Sequence, residues 1–392
     1  MRTVSKTVIG VDFGTQSARA VLVNAENGEI IYSCRKEYPY NSTPVPAIDC
    51  AENLPCATDY EMTLYELLRN VIPEEYRKTV AGICVDATSL TMVLLAEDGR
   101  ALSELDGWSE AAHARVKLWK YHRAQEKADE ALNLARNLQE PFLGRTGGSI
   151  SCEWMLPKLL EVRDEAPEIY SKIDLAMDLC EFLTFRLTGQ LVRSIGSLSY
   201  KCLWAEDLSF PERTFLNGLR AGFYEEYCHF LRGDVRKPGE CAGMLRSELT
   251  KRWGLPEQIP VATGMLDGHT SLATMGAFEP GDAALIVGTS NVCTVQDRKL
   301  QELKDVCGVA QDGMVIGSCG IDTGQSSTGN MLGWFVEHMA GWQIHREAEE
   351  RKISPHQVLA ERIQKPWENK VIAVDWWSGS RNAPCDLTLR GS

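Results

Sequence analysis

A chain of 392 residues with 41 Lys and Arg against 54 Asp and Glu carries a net charge of −13 with histidine neutral. At roughly 100–200 residues per domain it is expected to form two or three, and its 44% hydrophobic and 24% charged residues are those of an ordinary globular protein. The acidity argues against a nucleic-acid partner, whose phosphates are met by Lys and Arg; no run approaches the roughly 18 apolar residues of a membrane span, and Asp12 breaks the first apolar run before it can act as a signal peptide.

β-Branched runs at 8–12, 18–23 and 29–34 predict three strands, separated by the turns F-G-T-Q and N-G-E. Apolar spacing predicts a helix over 59–71, and V-A-G-I-C-V-D-A reads as a buried strand at 80–87. A long Ala-rich helical stretch is expected over 109–140, with further helices at 153–163, 174–188 and 244–254. P-V-A-T-G-M-L-D-G-H-T at 260–270 reads as strand, turn and helix, and F-E-P-G-D at 278–282 punctuates the chain before a new β unit. Strands alternating with helices mean a mixed α/β architecture. The thirteen cysteines are scattered and contain no C-x-x-C pair, which suggests reduced thiols in a cytoplasmic protein; the seven histidines form no ligand-spaced cluster, so a metal held by protein alone is not expected.

One pattern occurs twice. V-D-F-G-T-Q-S-A-R-A-V-L-V (11–23) and L-I-V-G-T-S-N-V-C-T-V-Q (285–296) both run strand, Gly-Thr, small polar residues, strand. Glycine permits a tight turn and close backbone approach, so two such hairpins suit the phosphates of a nucleotide held from opposite sides. An ordinary hairpin turn accounts for either one alone. Both readings stay open on spacing.

These residues resemble the two phosphate motifs of the FGGY carbohydrate kinases. V-K-L-W-K-Y-H-R-A-Q-E-K-A-D-E (116–130), G-G-S-I-S-C-E-W-M-L-P-K-L-L (147–160), Y-K-C-L-W (200–204), G-I-D-T-G-Q-S-S-T-G-N-M-L-G-W-F-V-E-H (320–338) and V-D-W-W-S-G-S-R (374–381) are similar to the L-ribulokinase branch. The resemblance implies an α/β, actin/hexokinase-like (ribonuclease-H-like) two-domain kinase fold, with residues 1–279 as the first domain and 280–392 as the second. It implies ATP-dependent phosphorylation of a ketopentose, first of all L-ribulose to L-ribulose 5-phosphate, in L-arabinose catabolism. Another FGGY enzyme acting on a xylulose-like sugar or polyol, and a non-catalytic sugar-binding fragment, are the alternatives.

Residue by residue, the resemblance makes Asp267 the catalytic base, where its position before a helical run also suits an N-cap. Gly14, Thr15, Gln16, Ser17 and Arg19 match the first phosphate loop, and Gly288, Thr289 and Ser290 the second; Asp12 matches an acid near the nucleotide's Mg²⁺, generally through water. Ser89, Lys201, Asp267 and Asp322 are implied for the sugar. The ribulokinases have alanine at the position of Ser89 and glutamate at that of Asp322, so these two bear on which ketopentose fits. Trp119, Trp154, Trp204, Trp376 and Trp377 are candidate cleft walls, Trp154 first among them, although tryptophan is more often core than substrate platform. Partners are expected to be the small-molecule sugar, with no nucleic acid, no membrane and a homodimer left open. Family members continue beyond L-R-G-S. The expectation is therefore an incomplete second domain without the adenosine segment, weaker binding of nucleotide than of sugar, poor turnover and self-association.

Overall fold

The computed structural model describes residues 6–38, 54–288, 290–363, 373–374, 376–382, 385–386 and 388–392. The first strands form as expected: β1 (Thr7–Phe13), β2 (Ser17–Asn24) and β3 (Ile30–Glu37) make an antiparallel meander, and β4 (Val80–Ala87) lies parallel to β1 on its other side. Two short pairs stand apart, β5 (Met92–Leu95) with β6 (Leu175–Asp178), and β7 (Val192–Ser194) with β8 (Asp234–Arg236). β9 (Cys241–Met244), β10 (Pro260–Ala262) and β11 (Met265–Leu266) complete a seven-stranded sheet of order β3-β2-β1-β4-β10-β9, with β11 also paired to β4. A second sheet follows, β12 (Ala283–Val287), β13 (Asn291–Asp297), β14 (Gly308–Gln311) and β15 (Cys319–Gln325), in the order β12-β13-β15-β14 and antiparallel throughout.

Alternation drives the first sheet. Ile9, Val11 and Phe13 are buried on β1, with Ala18, Ala20 and Leu22 on β2, and they pack on Leu64 and Leu68 of helix Ala57–Asn70 and on Phe182 of helix Leu179–Thr188. A separate core, containing Trp154, Leu159, Phe215 and Tyr227, is enclosed by helices Gln125–Leu138, Met155–Glu165, Arg213–Leu219 and Phe223–Phe230.

Three expected helices are shorter than the sequence pattern implies, and of 244–254 only Ser247–Trp253 is helical, because Met244 ends β9. Only Gln125–Leu138 of 109–140 is α-helical. Upstream, Lys117 pairs its backbone with Met92, and its buried ammonium faces Glu161 at 3.6 Å, while Arg115 donates to the carbonyls of Ser109 and Leu54. Charges that need partners from several directions override the local preference for helix. Within 174–188, residues Leu175–Asp178 pair with β5 as a strand, and Asp178 then caps the helix by accepting from Leu179 N–H. Every described cysteine is a free thiol. Among the described residues, no helix is long and apolar enough to cross a membrane.

Candidate functional site

A cleft of about 590 Å³ lies where the C-terminal ends of β1, β4 and β11 face the second sheet. Register explains its chemistry. Asp12 on β1 lies opposite Asp86 on β4, Asp86 lies opposite Met265 on β11, and Asp267 follows two residues later. Three carboxylates therefore share one end of the sheet. Asp267 opens helix Asp267–Met275 rather than capping it, since Leu266 holds the cap position. Its Oδ1 accepts from Gly268 N–H at 2.7 Å, and the backbone N–H of Ser89 also points to the carboxylate. Burial pushes this carboxyl up to about 6; the two N–H groups and Lys201 oppose the rise, and the charge of Asp12 adds to it.

Asp86 has no counterpart among the expected site residues. Burial, then the charge of Asp12 and a hydrogen bond shared with it, push its carboxyl up to about 8, with Asp267 adding to the effect. Its Oδ1 is buried without a partner. Two oxygen donors side by side, one of them orphaned, suit a hard cation, although no group of three or more His, Cys, Asp or Glu suited to a metal occurs among the described residues.

The floor of the cleft is charged. Lys201, the last residue of helix Ile195–Lys201, reaches across to Asp322 on β15, Nζ to Oδ2 at 3.1 Å. Burial would raise the Asp322 carboxyl, but Lys201 and then His269, 3.7 Å away, outweigh it and hold Asp322 far below the usual carboxylate range. Beside this pair, Arg381 contacts Glu153 at 3.3 Å and lies over the Trp119 ring, 4.8 Å from its centroid. Burial opposes ionisation of Glu153, yet Arg381 and His122 bring its carboxyl down to about 2. Arg381 Nε is buried and without a partner. Trp119 in turn donates from Nε1 to Thr15 Oγ1 at 3.1 Å, which joins the floor to the first glycine turn.

The residue next to Lys201 anchors its helix to the second sheet. The Tyr200 ring sits among Gly308, Gly313 and Gly320 of the second sheet and the loop after β14, and its hydroxyl donates to Gly320 O at 2.7 Å. A methyl group at those glycines would come within 2.7, 2.6 and 2.5 Å of Tyr200 atoms. Only hydrogen fits there.

On the far side of the cleft the loop Thr88–Ser89–Leu90 is held in a costly shape. Leu90 has φ of 45°, a left-handed conformation that non-glycine residues avoid. Its N–H donates to Asp178 at 3.1 Å, and its carbonyl accepts from the fully buried Lys158 at 3.0 Å. This shape aims the Ser89 N–H at Asp267. The Ser89 hydroxyl, by contrast, is buried without a partner.

The structure thus brings Asp12, Gly14, Thr15, Ser89, Lys201, Asp267, Gly288, Ser290 and Asp322 into one cleft. Gln16, Ser17 and Arg19 do not line it. Ser17 accepts from Arg35, and Arg19 is an exposed residue directly opposite Asp12 on β2. Thr289 lies outside the described residues. Trp119 and Trp154 line the cleft, whereas Trp204 lines a different cavity and Trp377 packs on Trp334, their centroids 5.2 Å apart. Trp376 is partly exposed and is not among the cleft residues.

Residues 7–275 match the N-terminal domain of the FGGY family of carbohydrate kinases. Over 397 residues the chain is 32% identical to a ribulokinase of Halalkalibacterium halodurans, covering 99% of this chain and 70% of that protein. It is 35% identical over 402 residues to a ribulokinase of Mycolicibacterium smegmatis, covering 98% and 70%. The fold is similar to that of a ligand-bound xylulose kinase from Lactobacillus acidophilus, with a TM-score of 0.75 at 19% identity, over 99% of this chain and 72% of the other. The shared architecture is of the actin/hexokinase type.

Proposed function

The chain belongs to the FGGY family of carbohydrate kinases, and from that premise we propose that it is a cytoplasmic enzyme moving the γ-phosphoryl group of ATP to the terminal hydroxyl of a ketopentose, with L-ribulose as first substrate. One observation carries this reading: Asp267, the Lys201–Asp322 pair and both glycine turns face a single cleft. We assign Ser89, Lys201, Asp267 and the first glycine turn to a first domain, 1–279, and the second turn to another, 280–392, which also lends Asp322 and Arg381 to the sugar side.

In this reading Asp267 takes the proton of the attacking hydroxyl as that oxygen bonds to phosphorus and the bond to the bridging oxygen of the departing ADP breaks. Lys201 donates to ketose oxygens, Asp322 accepts from a hydroxyl, and the Ser89 N–H keeps the base aimed. Gly14, Thr15, Gly288 and Ser290 approach the phosphates from opposite sides, with Gln16, Ser17 and Arg19 supporting the first turn. Asp12, with Asp86 next to it, would hold a nucleotide-borne Mg²⁺ through its water, and that ion supplies charge neutralisation on the phosphate oxygens. The test is an ADP-release assay with ATP–Mg²⁺ and a panel of L- and D-ribulose, L- and D-xylulose and ribitol. Turnover with none of them overturns the proposal.

Two variants probe the sugar side. Arg381→Gln keeps the side chain polar but removes the charge over Trp119 and beside Glu153, and with it the unpartnered Nε–H. A lost charged donor of this kind costs about 1.5–3 kcal/mol, so the sugar KM is expected to rise about tenfold or more, with a smaller change in kcat. Initial rates over a range of sugar concentration measure both. For specificity, Ser89→Ala combined with Asp322→Glu is expected to reorder kcat/KM among the ketopentoses, because a buried hydroxyl is removed and a carboxylate is extended by one methylene. Each misplaced buried hydrogen bond is worth about 1–3 kcal/mol. An unchanged ranking across the panel would remove both positions from a role in specificity.

A further inference from the structure

A second cavity, of about 380 Å³, lies on the other side of helix Ile195–Lys201 from the cleft. It has the size of a small-ligand site. Its apolar walls are Phe142, Leu203, Trp204, Phe210, Val309 and Ala310, so both the helical core and the second sheet contribute. Its rim is built rather than loose. Ala205 and Ser209 exchange backbone hydrogen bonds at 3.0 and 2.6 Å, and Leu203 and Ser209 hold left-handed φ values of 56° and 60°.

The polar groups are unbalanced. Glu140, Glu206, Asp207 and Glu212 line the cavity against one cation, Arg145. Arg145 is already spent on Asp207, which it grips through two hydrogen bonds of 2.7 Å. Glu140 is only 6% exposed, and its Oε2 has no hydrogen-bond partner. A buried carboxylate oxygen left unpaired costs free energy, and a ligand that donates to it recovers that cost. Burial raises the Glu140 carboxyl and the backbone N–H of Glu212 opposes the rise.

From the cavity, its aromatic walls, its excess of acids and the orphaned oxygen we infer that this is a second ligand site, and that it takes a small organic ammonium ion with a flat apolar body. The rings of Trp204, Phe210 and Phe142 receive the body, and the ammonium donates to Glu140. Anionic ligands of the same shape meet the same acids with the wrong sign. The site is separate from the cleft, and the inference does not depend on which sugar the cleft accepts.

Calorimetric titration with phenethylammonium chloride tests it, with 2-phenylethanol and 3-phenylpropionate as neutral and anionic counterparts of similar shape. The cation is expected to bind at least about tenfold more tightly than the alcohol, and the anion not measurably, since a charge-assisted bond to a buried carboxylate is at stake. Glu140→Gln, which can keep the hydrogen bond from Glu212 N–H, is expected to weaken the cation about tenfold and leave the alcohol unchanged. Ser199→Leu fills the cavity from the helix and is expected to abolish binding of both, while Asp267→Asn, in the cleft, leaves both unaltered. Melting curves of each variant accompany the titrations, and one with a lowered melting point is replaced by Glu140→Ala or Ser199→Met. Equal affinity for all three probes, undiminished binding in a folded Glu140→Gln variant, or loss of binding in Asp267→Asn overturns the inference.

Discussion

Asp267→Asn is expected to lower kcat by about 10²–10⁴-fold, the usual contribution of a positioned general base, while sugar binding survives with reduced affinity. The amide keeps the shape of the side chain and its oxygen can still accept from Gly268 and Ser89 N–H. It cannot take a proton. The parent enzyme should reveal the same group through pH. A base whose carboxyl is raised to about 6 works only when ionised, so kcat/KM should climb with pH through about 6 and level off above it. Initial rates between pH 4.5 and 8 would trace that limb, and it should be absent from whatever activity the Asn variant retains. Near-normal turnover of Asp267→Asn, or a flat profile across pH 6, would take the role of base away from this residue.

Lys201→Met is expected to damage both binding and folding, for separable reasons. The ammonium is the partner of a buried carboxylate, and removing one member of a buried pair typically costs about 3–5 kcal/mol because the other is left uncompensated. His269, at 3.7 Å, is a poor substitute. In the proposed reading the ketose also loses its charged donor, so sugar affinity should fall at least about tenfold. The double variant Lys201→Met with Asp322→Asn discharges the stranded carboxylate. It should recover much of the stability in urea denaturation and none of the sugar affinity in titration. Recovery of both together would mean that Lys201 acts on the sugar only by holding the fold.

How much of this could be read from the chain depends on how local the signal is. The hairpins at 11–23 and 285–296 announce themselves because a Gly-Thr turn between β-branched runs is a short-range pattern, and both form. Lys201 and Asp322 lie 121 residues apart, and only their family motifs suggest that they belong together. Asp86 had a signal that went unused: an acid near the end of the otherwise apolar strand V-A-G-I-C-V-D-A is rarely buried without a task. Arg381 closes the motif V-D-W-W-S-G-S-R, but its partners Glu153 and Trp119 come from distant segments and no spacing rule links the three. The first half of the helix expected over 109–140 failed for the opposite reason. Its local propensity was real, but Arg115 and Lys117 are buried and are satisfied by tertiary partners that a helix would have pulled away from them.

The packing of Tyr200 among Gly308, Gly313 and Gly320 has a mechanical consequence. At that point helix Ile195–Lys201 meets the second sheet through an aromatic ring set against three stretches of glycine backbone. Glycine backbone has no rotamers to exchange, so on those three sides the socket has one arrangement, closed off by Met314 and the His269 ring. Separation there would break the hydroxyl's bond to Gly320 O, and sideways slip would drive the ring into one of three backbones. Lys201 is the next residue in the chain and pairs with Asp322 of the same sheet, so a displacement of the second sheet against this helix would load Tyr200 and the Lys201–Asp322 pair together.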